Sequence, residues 1–215
     1  MAIQLFESVS SNSNVRLRVA MGHFATSHSH INYYVDLTMT KHRLSEAREV
    51  AAELCGHFKS STVIDTILCL DGTEVIGACM ASELTRAGFT NMNAHRTIYV
   101  VTPEHTTGSQ LIFRENSAPM IVGKNVLVLA ASVTTGYTAL AALDAIRYYN
   151  GVPAGVCAIF SCVEQVGGFP VNAIFTKQHD LPNYVSCTAQ ECPMCKAGSK
   201  VDAMVNAYGI SSFNR

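Results

Sequence analysis

Residues 126–143 read VLVLAASVTTGYTALAAL. An apolar, β-branched run enters Ser132, Val133, Thr134, Thr135, Gly136, Tyr137 and Thr138, after which helix-forming residues take over. Such a bend brings hydroxyl groups, backbone N–H groups freed by a glycine turn and the positive end of a helix dipole to one spot, which is how proteins hold a phosphate. The same residues also fit a plain strand-to-helix turn with a threonine N-cap. A cap needs one hydroxyl, whereas Ser132, Thr134, Thr135 and Thr138 set four around one glycine.

A second group able to do chemistry is Cys187, Cys192 and Cys195, with His179 upstream of them. Two thiolates in a C-x-x-C turn can occupy two corners of a tetrahedron, and a third cysteine with a histidine would complete a structural zinc site. Free thiols in a loop, or a redox-sensitive pair, fit the same residues. The other histidines are scattered. None makes the pair, four residues apart on a helix, that zinc hydrolases use. His28 and His30 alternate on a segment that reads as extended, and so share one face that could meet an anion or simply solvent.

The elements that must position these groups alternate along the chain. Residues 45–58 place Ala47, Val50, Ala51, Leu54 and Phe58 at helical spacing. Residues 62–70 form a nearly continuous apolar run of the kind covered on both faces of a sheet. A second helix is expected over 75–87, closed by Gly88 in a left-handed cap. Further strands are expected over 97–101, 126–131, 156–162 and 171–175, with a helix over 138–149 closed by Asn150 and Gly151. Strands alternating with helices argue for an α/β fold with a mainly parallel sheet. Residues 102–125 stand apart as a long, weakly periodic connection, the usual form of a functional flap.

Composition bounds the rest. The chain has 215 residues, of which 48% are hydrophobic and 14% charged, and its formal charge is −1. That excludes disorder and leaves no summed field to attract nucleic acid or an anionic membrane. No run is long and apolar enough to span a bilayer, and residues 1–13 do not read as an export signal, so a cytoplasmic protein is expected. Cys55, Cys69, Cys79, Cys157 and Cys162 lie in apolar runs and read as reduced core residues. Sequence fingerprints of serine hydrolases, P-loop nucleoside triphosphatases and dinucleotide enzymes are absent.

Taken together, several segments resemble the type I phosphoribosyltransferases, and among them the orotate phosphoribosyltransferases. The loop at 132–138, with its apolar strand, is similar to the family's phosphoribosyl-pyrophosphate motif. Gly22, His23 and Phe24, followed by residues 27–37, are similar to the N-terminal signature of the orotate enzymes. Residues 67–84 resemble the strand, pyrophosphate loop and helix shared by orotate and adenine members. Cys192, Pro193, Met194 and Cys195, with Gly198, look like the C-P-x-C-x-x-G ending of many orotate enzymes.

Carried over, the resemblance implies that Ser132, Thr134, Thr135, Gly136, Tyr137 and Thr138 hold a 5′-phosphate. It implies that Asp71, Gly72, Thr73 and Glu74 meet pyrophosphate, and that Tyr33 and Tyr34 sit beside a pyrimidine base. The two tyrosines also fit the inward and outward residues of a short strand. Magnesium, a small-molecule phosphate or nucleotide ligand and a homodimer are further implications of the family.

The departures are as informative. Where the family carries an acidic pair just before the loop, this chain has Ala130 and Ala131, and methyl groups neither bind ribose hydroxyls nor complement a divalent cation. Ser29 replaces a signature lysine. Residues 102–116, matching the family's basic mobile loop, offer only His105 and Arg114. Leaving-group departure in phosphoribosyl transfer needs several negative charges neutralised, so weak or altered transfer activity is expected, with a non-catalytic nucleotide- or phosphate-binding regulatory module as the alternative. The expected architecture is an N-terminal lobe over 1–60, a phosphoribosyltransferase-like α/β core over 61–176 and a cysteine-bearing tail over 177–215.

Overall fold

The computed structural model describes residues 5–10, 14–27, 29–94, 96–106 and 110–213. His28 therefore lies outside the described residues. The N-terminal stretch forms β1 (Leu5–Val9), β2 (Arg16–Ala25), β3 (His30–Asp36), α1 (Thr38–His42) and α2 (Leu44–Cys55). The middle supplies β4 (Thr66–Cys69), α3 (Glu74–Leu84), β5 (Tyr99–Val101), β6 (Glu104–His105), β7 (Leu111–Ile112), β8 (Asn125–Val133), α4 (Tyr137–Tyr148), β9 (Val152–Ser161), β10 (Gln165–Val166) and β11 (Phe169–Thr176). The last stretch adds α5 (Lys177–Asp180), β12 (Ser186–Cys187), α6 (Pro193–Lys196), β13 (Ala203–Asn206) and β14 (Gly209–Ser212).

The central sheet has the order β10-β11-β9-β8-β4-β5. Every pairing from β11 to β5 is parallel, and only the short β10 edge is antiparallel. The continuous apolar runs have the reason expected of them. All four residues of β4 are buried, as are Val126 to Ala131 on β8, because helices and the N-terminal lobe cover both faces. The mainly parallel α/β fold expected from the sequence is the fold observed.

Boundaries differ in instructive places. Helix α3 ends at Leu84 rather than at Ala87, and the Asn91 side-chain amide donates to the Leu84 and Arg86 carbonyls left at its end. Gly88 therefore does not act as the left-handed cap; its φ is not positive. The expected stop of α4 holds, with Asn150 at φ 56° and the Gly151 N–H returning to the carbonyl of Ile146.

A second sheet was not legible in the sequence. Its order is β12-β3-β2-β13-β14, with β1 added on β2. Strands from the N-terminal stretch and from the tail thus share one sheet: β13 runs parallel to β2, and β12 antiparallel to β3. The 177–215 segment is built into the N-terminal lobe.

Two contacts fix how the lobes and layers meet, and each gives a test. Gly77 lets α3 lie against the sheet, since a Cβ there would stand 2.5 Å from the Cys69 Sγ and 3.1 Å from the Val100 Cγ1. Gly77→Ala is expected to cost about 1–3 kcal/mol by overpacking, read from the midpoint of denaturant unfolding. Arg18 on β2 grips the Glu46 carboxylate of α2 through two N–H groups, at 2.8 and 3.1 Å. That hydrogen-bonded pairing holds the Glu46 carboxyl below its ordinary 4.5. Its stabilising contribution is therefore complete above pH 4.5 and lost as pH falls through the lowered folded value. Glu46→Gln is expected to flatten the acid limb of the stability–pH curve while lowering stability near pH 7.

Candidate functional site

The bend between β8 and α4 is the expected one, and its geometry leaves its polar groups free. Gly136 occupies the N-cap of α4 at φ 82°, ψ −5°, a left-handed conformation that glycine takes without strain. No side chain caps this helix. The first intrahelical bond runs from the Leu140 N–H to the Gly136 carbonyl, so the amides ahead of it point outward without helical partners. Among the described residues, none forms a hydrogen bond with the hydroxyls of Ser132, Thr134, Thr135 or Thr138. The threonine N-cap reading is thereby corrected.

These residues form one wall of a cavity of about 960 Å³ at the C-terminal ends of β4, β8 and β9. The opposite wall comes from the second sheet. Tyr33 and Tyr34 both line it; Tyr34 is buried and Tyr33 half-buried. Tyr33 lies nearly parallel to Tyr184, ring centroids 6.4 Å apart at 16°, and Phe160 tilts against Tyr184 at 5.7 Å. Tyr184 and Phe160 are further lining residues. Burial pushes the Tyr34 phenol up to about 12, and pushes that of Tyr184 up as well, so both remain neutral. The result is a flat-sided aromatic recess in the same cavity as the 132–138 loop.

The Asp71 loop closes a third side. Asp71 and Gly72 both have positive φ, 57° and 77°. Thr73 is buried, and its hydroxyl is near both the Leu70 and Leu129 carbonyls, at 2.8 and 3.2 Å. Glu74 is exposed and accepts from the Thr102 hydroxyl. Of the four expected pyrophosphate-loop residues, Asp71 alone lines the cavity.

Lys41 is the residue that sequence reasoning missed. It is 5% exposed, and its Nζ donates to the carbonyls of Asp71, at 2.8 Å, and Ala207, at 2.7 Å. It ties the Asp71 loop to the tail and is the one cation among the described cavity-lining residues. Burial lowers its pKa, with Asp71, Glu74 and Asp36 opposing that shift. Burial likewise raises the Asp71 carboxyl, while Lys41 and His105 hold it down.

The groups that would neutralise a departing pyrophosphate are sparse here. Arg114 spends its guanidinium on Glu104, at 2.7 and 2.6 Å, inside the small β6–β7 ribbon. Residues 107–109 of that connection lie outside the described residues. Ala130 is buried against α4, and Ala131 faces the cavity with a methyl group. A dedicated magnesium site fits this corner poorly, because Asp71 and Glu191 are the carboxylates among the described residues lining the cavity, and Ala130 and Ala131 offer no side-chain oxygen.

Cys187 lines the same cavity, whereas Cys192 and Cys195 belong to a separate group. His23 Nε2, His30 Nδ1, Cys192 Sγ and Cys195 Sγ all lie within 4.8 Å of one another, a two-histidine, two-cysteine group compatible with a structural zinc ion. His179 is not part of it. Its backbone N–H donates to the Thr176 hydroxyl at the start of α5. Cys187 sits beside the group, with its sulfur 3.9 Å from the His30 carbonyl oxygen, but is not one of the four. The expected set is corrected accordingly: strands β2 and β3 bring in two histidines that no local spacing connects to the cysteines. The buried Cys55, Cys69 and Cys157 are free thiols, with pKa values pushed up by burial.

Comparison with known proteins places this architecture. No family model matches the chain. The fold is that of the type I phosphoribosyltransferases. A phosphoribosyltransferase from Corynebacterium diphtheriae superposes with a TM-score of 0.51 at 21% identity, covering 76% of this chain and 90% of that one. The orotate phosphoribosyltransferase of Mycobacterium tuberculosis H37Rv, solved with 5-phospho-α-D-ribosyl 1-diphosphate, also gives 0.51, at 18% identity over 69% of this chain and 82% of that one. In sequence the chain is similar to the orotate phosphoribosyltransferase of Chlorobaculum parvum, 26% identical over 185 residues, which is 85% of this chain and 86% of the relative. The resemblance read from the sequence motifs is borne out on both counts. No helix among the described residues is long and apolar enough to cross a membrane.

Proposed function

We propose that the protein binds a 5′-phosphorylated ribose ligand, with the phosphate on residues 132–138 and a flat base in the recess of Tyr33, Tyr34 and Tyr184. The observation that carries this is the loop itself, whose four hydroxyls and outward amides are free and face a cavity large enough for a nucleotide. Similarity to orotate phosphoribosyltransferases supports a pyrimidine as the base. A relative solved with phosphoribosyl diphosphate supports the sugar phosphate. The family reaction, transfer of phosphoribose from phosphoribosyl pyrophosphate to a pyrimidine, is expected to be slow or altered here.

In that reaction the chain's own residues hold the phosphate, stack the base and exclude water. The step they serve poorly is departure of pyrophosphate, whose charge faces Lys41 as the one cation among the described residues lining the cavity. Lys41 is already engaged by two carbonyls, and Arg114 is held by Glu104. The same facts favour a second reading, a non-catalytic module in which occupancy of the loop serves regulation or assembly. A homodimer in the cytoplasm is the expected setting for either.

A thermal-shift panel separates the two readings. Phosphate, ribose 5-phosphate and orotidine monophosphate should each raise the melting temperature, by about RT ln(1 + [L]/Kd) in free energy. Orotate with phosphoribosyl pyrophosphate and magnesium should then be turned over far below ordinary enzyme rates. Turnover at about 1–10³ s⁻¹, the usual range for enzymes, would overturn the slow-transfer reading.

A further inference from the structure

We propose that His23, His30, Cys192 and Cys195 bind one zinc ion that fastens the C-terminal segment to the N-terminal hairpin of β2 and β3. Three N···S separations among these atoms lie close to the edges of a zinc tetrahedron. With Zn–N of about 2.0–2.1 Å and Zn–S of about 2.3 Å, tetrahedral geometry puts N···S edges near 3.6 Å and an N···N edge near 3.3 Å. Observed N···S separations are 3.5 Å for His23 and Cys192, 3.6 Å for His23 and Cys195, and 3.3 Å for His30 and Cys195. The two ring nitrogens are 2.9 Å apart. The four atoms lie within 4.8 Å of one another, so a single cation can meet them all.

The surroundings are arranged for a metal. The other nitrogen of His23, Nδ1, lies 3.1 Å from the Ser199 carbonyl oxygen. A carbonyl only accepts, so Nδ1 carries the proton and Nε2 presents its lone pair to the site, the usual outer-shell arrangement of a zinc-bound histidine. His23 itself is buried, and its backbone N–H is held by the Asp202 carboxylate at 2.8 Å.

An independent observation is what the tail lacks. Between β12 and β13, residues 188–200 form an ordered crossing whose one buried side chain is Cys192. Helix α6 is four residues long, too short to persist alone. Apolar burial therefore cannot hold this crossing, whereas a zinc ion reaching both rings and both thiolates can. Donor sets of two sulfurs and two nitrogens suit zinc.

The test is metal content of the whole protein, purified without chelators from zinc-replete medium. One zinc per chain is expected. Cys192→Ser and His23→Gln should lose it, while Cys187→Ser and His179→Gln should keep it. Should the first pair fail to fold, the wild-type protein reloaded with cobalt(II) decides: intense tetrahedral bands with thiolate-to-metal charge transfer are expected, together with a fall in melting temperature on chelation. The proposal is overturned by protein that holds no zinc and takes up no cobalt, by a disulfide between Cys192 and Cys195 in freshly purified protein, or by zinc that is lost from His179→Gln but kept in Cys192→Ser. None of these readouts depends on what the phosphate loop binds.

Discussion

Ala130→Asp is expected to leave the protein unfolded at 25 °C, while Ala131→Asp, one residue on, is expected to fold. Ala130 is 2% exposed on the central strand β8, in the apolar cluster shared with Ala142, Leu143 and Ile146 of α4. A carboxylate placed there has no cation or donor to meet it. Stranding a charge in that setting costs several kcal/mol, which rivals the whole stability of about 5–15 kcal/mol for a typical domain. Successive strand residues face opposite ways, so Ala131 lines the cavity instead. Although Ala131 is 5% exposed, an Asp there can extend into the cavity, and a cost of about 1–3 kcal/mol is expected. Circular dichroism and urea unfolding of the two variants give the comparison, and equal losses would contradict the assignment of the two faces. Of the two alanines, Ala130 is thus enclosed in the core and Ala131 borders the cavity.

Gly136→Val is expected to abolish stabilisation by ribose 5-phosphate while costing about 1–3 kcal/mol of fold stability. At φ 82° a β-branched residue is strained by that order of energy. A Cβ there would also stand 3.0 Å from the Val166 Cγ2 on β10. Relief of either strain turns the peptide between Thr135 and Gly136 and moves the amides and hydroxyls that converge on the ligand. Isothermal titration against ribose 5-phosphate should show at least a tenfold loss of affinity, about 1.4 kcal/mol. Wild-type affinity in the folded variant would mean that the phosphate sits elsewhere.

What could be read from the sequence divides along a physical line. The parallel sheet was legible because strands covered on both faces must be apolar throughout, and β4 and β8 are. The bend at 132–138 was legible because its hydroxyls, glycine and following helix are contiguous in the chain. The second sheet was not, because its decisive pairings are long-range: Ala203 pairs with Phe24, and Cys187 with His30. The metal group failed for the same reason. His179 is near the cysteines in sequence, but the β2–β3 hairpin delivers His23 and His30 from the other end of the chain. Lys41 gave no signal at all, since a lysine at the end of a short helix reads as solvated until the carbonyls of Asp71 and Ala207 are seen around its ammonium.

All of the functional account rests on where a phosphate binds. The most direct measurement is a crystal structure of the protein soaked with ribose 5-phosphate. The phosphate should lie against the amides of residues 135–138, with the Thr134, Thr135 and Thr138 hydroxyls donating to its oxygens and the sugar directed toward Tyr33 and Tyr184. Density for the phosphate at another position, with this loop closed by its own side chains, would contradict the account.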